Sequence, residues 1–211
     1  MKTQNHPQTY TPRCPADFIG GAKAIAQILA NKAKAAKSIH TPIKILLYGV
    51  PGVGKTRLAE MLAAQLTGQR ITEGQSLNTE SVNGRNVDIT IVRRWQEESR
   101  YIPFSWTVRI VNELDTCLAA SQDLLLTVLD ELPRKSAFIG TSNLSLGDLV
   151  ERFQTRLQQF KVTAPDTGEL NGFLKQWKLG AANIKNIAVG CGGNVRAALL
   201  DAQSILEAQA V

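Results

Sequence analysis

IKILLYGVPGVGKTRLAEMLAAQL, residues 43–66, decides the fold. Its first six residues, IKILLY, form a continuous apolar run, which fits a strand buried on both faces of a parallel sheet. Its last part, Lys55 to Leu66, has helical character. Between them, GVPGVGKT satisfies GxxxxGK[ST] at every position, with Gly49, Val50, Pro51, Gly52, Val53, Gly54, Lys55 and Thr56. Strand, glycine-rich turn and helix together are the context in which that motif binds phosphate. Glycines let the backbone N–H groups approach the phosphates, and the helix N-terminus adds positive potential. Lys55 is placed to reach the β- and γ-phosphates, with Arg57 beside them. Thr56 offers its hydroxyl to Mg²⁺. The expected ligand is ATP with Mg²⁺.

Outward from this stretch, helical and strand signals alternate. Residues 22–37 are Ala-rich with an Ile25, Ile28, Leu29 stripe and predict a helix. Pro42 breaks the chain before the first strand. Residues 67–86 are polar and glycine-punctuated, with a weak strand near Ile71. A helix is expected over 87–99, a strand over 106–111, a helix over 121–132, a strand over 136–141 and a last strand over 158–163. This order predicts an α/β fold, a five-stranded parallel sheet in a three-layer αβα sandwich. After Gly168 only helical segments follow, around 169–178, 181–188 and 194–209, giving a small helical lid. The expected division is an N-terminal arm at 1–17, the nucleotide-binding αβα domain at 18–165 and the lid at 166–211. Pro7, Pro12 and Pro15 make the arm extended.

Composition is that of an ordinary globular protein, with 44% hydrophobic and 20% charged residues. No apolar stretch is long enough for a membrane span. The polar N-terminus lacks the apolar core of a secretory signal. Cys14, Cys117 and Cys191 are scattered without a CxxC pair, which suggests neither a zinc site nor a disulfide framework and favours a cytoplasmic location. The formal charge of +6 permits nucleic-acid binding without establishing it.

A second polar centre is expected where WTVRIVNELD, Trp106 to Asp115, leaves its strand. The C-terminal edge of an open α/β sheet is where ligands bind. Glu113 is placed to orient and polarise an attacking water. Asn112 stands where an acid usually holds Mg²⁺ through water. An amide keeps an oxygen acceptor but loses the charge, with Asp115 as a candidate to compensate.

These motifs, in this order, resemble the AAA+ ATPases, and within them the clamp-loader group (replication factor C and bacterial clamp-loader subunits). TPRCPADFIGGAKAIAQIL, from Thr11, is similar to the family's opening segment that lies over the adenine, which implies a base contact at Ile19. IVNELD and the following SQDLLLTVLDELP resemble the second nucleotide motif and its helix. FIGTSN, Phe138 to Asn143, resembles the sensor-1 strand, with Asn143 as the sensor. RFQTRLQQFKV, Arg152 to Val162, resembles the arginine-finger segment. Arg156 matches the finger best, and Arg152, four residues earlier, is the alternative. GGNVRAALLDAQ, Gly192 to Gln203, resembles the sensor-2 helix, with Arg196 as the sensor. The resemblance implies ATP hydrolysis between subunits of a homo-oligomer, a ring or a filament. The group's collar domain has no counterpart here, so assembly is expected to rest on the AAA+ modules themselves.

VNGRNVDITIVRRWQEESR, Val82 to Arg100, resembles the clamp-loader helix with a "GI..VR" lead. It carries Arg85, Arg93, Arg94 and Arg100 with Trp95 beside them, a set that fits DNA phosphates, a solvated face or a subunit contact equally. Three functions follow. One is an oligomeric ATPase acting on DNA. Another is a remodelling ATPase with a protein client, less favoured because no clear aromatic–hydrophobic pore tripeptide lies between the nucleotide motifs. The third is an ATP-dependent assembly switch with slow hydrolysis, which Asn112 motivates.

Overall fold

Alternate residues of the central strands feed two separate cores. The computed structural model describes residues 6–69, 78–143 and 151–209. Its strands are β1 (Ile43–Tyr48), β2 (Thr79–Asn83), β3 (Thr107–Asn112), β4 (Ser136–Ser142) and β5 (Gln158–Lys161), all parallel in the order β2-β3-β4-β1-β5. Ile43, Ile45 and Leu47 of β1, Val108 and Ile110 of β3, and Ala137 and Ile139 of β4 share one core. That core is closed by α1 (Gly20–Ile39) and α2 (Lys55–Thr67). Leu46, Val111 and Phe138 point into the other. It is closed by α3 (Ile89–Ser99), α4 (Ala119–Asp130) and α5 (Glu151–Arg156). The period-2 pleat thus produces the three-layer αβα sandwich expected from the sequence.

β2 lies within the stretch read as polar. TESVN is an edge strand with only Thr79 buried, so it carries no apolar alternation to detect. The weak strand expected near Ile71 lies outside the described residues.

Beyond β5 come α6 (Thr167–Leu174), α7 (Ala181–Gly190) and α8 (Val195–Gln209). They enclose their own small core around Leu170, Leu174, Ile184, Ile187, Ala198 and Ala202. The N-terminal arm is not merely extended. It forms 3-10 turns at Pro7–Thr9 and Pro15–Asp17, with prolines at their first positions. Tyr10 between them meets Phe173 and Trp177 edge-on at centroid distances of 5.3 and 5.7 Å, which lays the arm on the lid.

Candidate nucleotide-binding site

Parallel pairing carries the ends of β1, β3 and β4 to one edge of the sheet. The register sets Tyr48 beside Ser142 and Asn83 beside Asn112. The phosphate loop after β1 and the polar residues that follow β3 and β4 gather at this edge.

The loop after β1 is held by its own lysine. Lys55 is buried, and its Nζ donates to the carbonyl oxygens of Gly49 and Val50, both at 2.8 Å. Burial pushes its ammonium down to about 8, against the pull of Asp115 and Glu113 and with a further push from Arg196. A desolvated cation whose partners among the described residues are carbonyls gains strongly from an arriving phosphate. Gly52 has φ 81°, and a Cβ there would lie 1.8 Å from Asn194 Oδ1. Asn194 also accepts from Ala197 N at 3.1 Å at the start of α8, and Arg196 N donates to Gly52 O at 3.3 Å. Loop and lid therefore interlock at a residue that must be glycine.

Thr56 Oγ1 donates to Asn112 Oδ1 at 3.0 Å. The amide of Asn112 is fixed from its other side, where Nδ2 donates to Ser81 Oγ at 3.1 Å. Its oxygen therefore faces Thr56. Glu113 follows in the left-handed region, φ 55° and ψ 52°, a conformation that costs a non-glycine residue about 1–2 kcal/mol. Three contacts hold it there. Glu113 N donates to Thr141 Oγ1 at 3.1 Å, and its carbonyl accepts from Thr116 N and Thr116 Oγ1, both at 2.8 Å. The side chain is engaged as well, with Asn83 Nδ2 donating to Glu113 Oε2 at 3.1 Å. Gly84 permits this approach, since a Cβ there would sit 2.2 Å from Glu113 O.

Ile19, Pro51 to Arg57, Asn112, Glu113, Asn143 and Arg196 all line one cleft of about 400 Å³. Gly49 and Val50 contribute the carbonyls that hold Lys55. Arg57 sits in an ion pair with Glu60 at 2.7 Å. Asn143 N donates to Asp115 Oδ1 at 3.4 Å, so Asp115 braces the end of β4. Tyr10, Phe18, Phe173, Leu199 and Leu200 line the same cleft and supply its apolar part. Arg156 does not line it. It pairs with Asp130 at 2.8 Å, and Arg152 lies 3.6 Å from Asp123.

The segment at 82–100 departs from its expected surface role in part. Trp95 is fully buried and donates from Nε1 to Glu80 Oε2 at 2.8 Å, so it does not stand beside arginines at a DNA-facing surface. Arg94 is bound by Glu80 and Glu98. Arg85, Arg93 and Arg100 are exposed. Asn83, Thr141, Asn194 and Tyr10 went unnoticed in the sequence because each matters through a partner distant along the chain. Among the described residues, no helix is long and apolar enough to cross a membrane.

The profile of the ATPase family associated with various cellular activities (AAA) matches residues 45–163. Replication factor C subunit 4 of Saccharomyces cerevisiae is 24% identical over 151 residues, covering 71% of this chain and 45% of that protein. Replication factor C small subunit 2 of Pyrobaculum islandicum is 31% identical over 117 residues, 54% of this chain and 35% of that protein. The chain thus spans less than half the length of both relatives. The Thermotoga maritima RuvB Holliday junction branch migration motor has the same fold, with a TM-score of 0.73 at 19% identity over 93% of this chain and 65% of that one. The family match runs from the strand before the phosphate loop through Glu113 to the end of β5, so the chain belongs to the AAA ATPases and is similar to the clamp-loader subunits among them.

Proposed function

We propose that this chain is an oligomeric ATPase that binds ATP with Mg²⁺ between the αβα domain (18–165) and the lid (166–211). It hydrolyses ATP where two copies meet and acts on DNA or a DNA-bound assembly. The observation that carries this reading is the convergence of Lys55, Thr56, Asn112, Glu113, Asn143 and Arg196 on one cleft.

The donor set fits Mg²⁺. Thr56 Oγ1 and Asn112 Oδ1 are hard oxygens 3.0 Å apart. Mg²⁺ commonly takes few protein ligands and completes its shell with water and phosphate oxygens. The ion supplies charge neutralisation at the phosphates. Lys55 leaves its carbonyl partners to pair with phosphate oxygens. Glu113 accepts a hydrogen bond from the attacking water and orients its oxygen toward the γ-phosphorus. Asn143 steadies that water from the end of β4, and Arg196 reaches the γ-phosphate from the lid. Arg156 of a second copy supplies the trans-acting cation. Asn112, being neutral, favours slower turnover than a carboxylate would, and an assembly switch is the limit of that trend.

Asn83 holds Glu113 away from this work. A hydrogen bond to a charged group is worth about 1.5–3 kcal/mol. Asn83→Ala is therefore expected to raise ATP turnover in the absence of any partner by about tenfold or more, measured as phosphate release. Turnover that stays level or drops would remove the restraint.

DNA as the target is supported by the names of the relatives and by the exposed Arg85, Arg93 and Arg100. The test is ATP turnover and sedimentation with and without DNA over a salt series. Stimulation by DNA should disappear as salt rises. Replacing Arg93 and Arg100 by Ala should weaken DNA binding uniformly across sequences and lower the salt slope by about one per lost phosphate contact. A salt slope identical to wild type would point elsewhere. The second reading, a protein client, is favoured by Tyr101, Ile102 and Phe104, which are 75%, 66% and 98% exposed in one loop. It predicts stimulation by a protein and none by DNA.

A further inference from the structure

We propose that Asp130 is a positioning residue for Arg156, holding that guanidinium so that its outer edge can meet phosphates bound by a second copy of this chain. The inference rests on the inter-subunit reading above. Asp130 ends α4 and Arg156 ends α5. Arg156 Nε donates to Asp130 Oδ1 at 2.8 Å and Nη2 donates to Oδ2 at 2.9 Å, so one carboxylate fills the whole Nε–Nη2 edge. On the other side, Nη1 donates to the carbonyl oxygen of Arg152 at 3.2 Å, one helical turn back. A guanidinium has five N–H donors. Among the described residues, these contacts occupy three. The two left over, one on each terminal nitrogen, remain to meet oxygens of a phosphate.

The pair's location supports aim over stability. The side chains of Arg156 and Asp130 are 32% and 51% exposed, and surface ion pairs contribute little to folding. Arg156 does not line the chain's own cleft, so the remaining donors have no phosphate to serve within their own subunit. Hydrogen bonding from Arg156 holds the Asp130 carboxyl below its ordinary range, which keeps the pair ionised. An arginine restrained beforehand loses less freedom when it binds phosphate. The alternative arginine is held more loosely. Arg152 touches Asp123 at 3.6 Å, with both side chains about 70% exposed (69% and 71%).

The experiment uses the full chain. Steady-state phosphate release gives kcat and KM for wild type, Asp130→Asn, Asp130→Ala, Arg156→Ala and the double variant Asp130→Ala/Arg156→Ala. Sedimentation and melting curves accompany each. Both Asp130 variants should lose about tenfold in kcat, with KM for ATP within twofold of wild type and sedimentation unchanged. The double variant should be no slower than Arg156→Ala, because the two residues act as one unit. In mixtures, Lys55→Ala subunits should restore turnover to Arg156→Ala subunits by lending their arginine. That rescue should fall about tenfold when the lending subunit also carries Asp130→Ala. Asp130 variants within twofold of wild type, beside a slow Arg156→Ala, would overturn the positioning role and leave the inter-subunit reading intact. A further loss in the double variant, or a rescue untouched by Asp130→Ala, would also overturn it. Arg156→Ala turning over at the wild-type rate would remove the inter-subunit reading itself, and this inference with it.

Discussion

Lys55→Ala is expected to weaken ATP binding at least about a hundredfold, with turnover lost in proportion. The ammonium makes two contacts to Gly49 and Val50 carbonyls at 2.8 Å, and phosphate oxygens are better partners for both donors. Two charge-assisted bonds at about 1.5–3 kcal/mol each account for that loss. Stability without nucleotide should move the other way. Lys55 is buried and its ammonium is destabilised by that burial, so an alanine relieves a desolvated charge. The melting temperature of the nucleotide-free variant should equal or exceed that of wild type. Addition of ATP with Mg²⁺ should raise the wild-type melting temperature and leave the variant unmoved. Calorimetric affinity within threefold of wild type would mean that Lys55 does not meet the phosphates.

Glu113→Gln is expected to lower turnover by about 10²- to 10³-fold while ATP affinity stays within threefold. The change removes a proton acceptor of the kind that contributes about 10²–10⁴ in rate, and little else. Glutamine keeps an oxygen for Asn83 Nδ2, which lies 3.1 Å from Glu113 Oε2, and the backbone contacts to Thr141 and Thr116 do not involve the side chain. The strained φ of 55° should therefore survive. Single-turnover measurements on preloaded protein separate the chemical step from release. A variant that hydrolyses at nearly the wild-type rate would favour the slow assembly switch, in which the neutral Asn112 already limits the site.

The parts legible in the sequence are those written in local pattern. IKILLY, the glycine motif and the helix after it were readable because strand, turn and helix are contiguous and each carries its own periodicity. The lid was readable from helical segments without strands. β2 was not, because an edge strand such as TESVN needs no apolar alternation. Losing β2 also hid Asn83, whose importance comes from pairing beside Asn112 in the neighbouring strand. Trp95 looked like a surface aromatic among arginines, yet its ring is buried under Arg109, whose guanidinium carbon lies 5.5 Å from the ring centroid. The packing of α3 on α4 and the sheet decides that, and no spacing rule encodes it. Arg57 was legible from its place beside the phosphate loop, Ile19 and Arg196 by resemblance, and the structure brings all three to one cleft. The partner of Arg156 was invisible, since Asp130 lies 26 residues away on another helix.

The aromatic trio of arm and lid has an optical consequence. Trp95 and Trp106 are enclosed, at 0% and 7% exposure, whereas Trp177 is half-buried against Phe173 at 5.2 Å and Tyr10 at 5.7 Å. Two of the three indoles give a constant background, and the third sits where the N-terminal segment meets the lid. The protein thus carries an intrinsic fluorophore packed on two residues that line its cleft, Tyr10 and Phe173, and the wavelength of its emission can follow the lid without any attached dye.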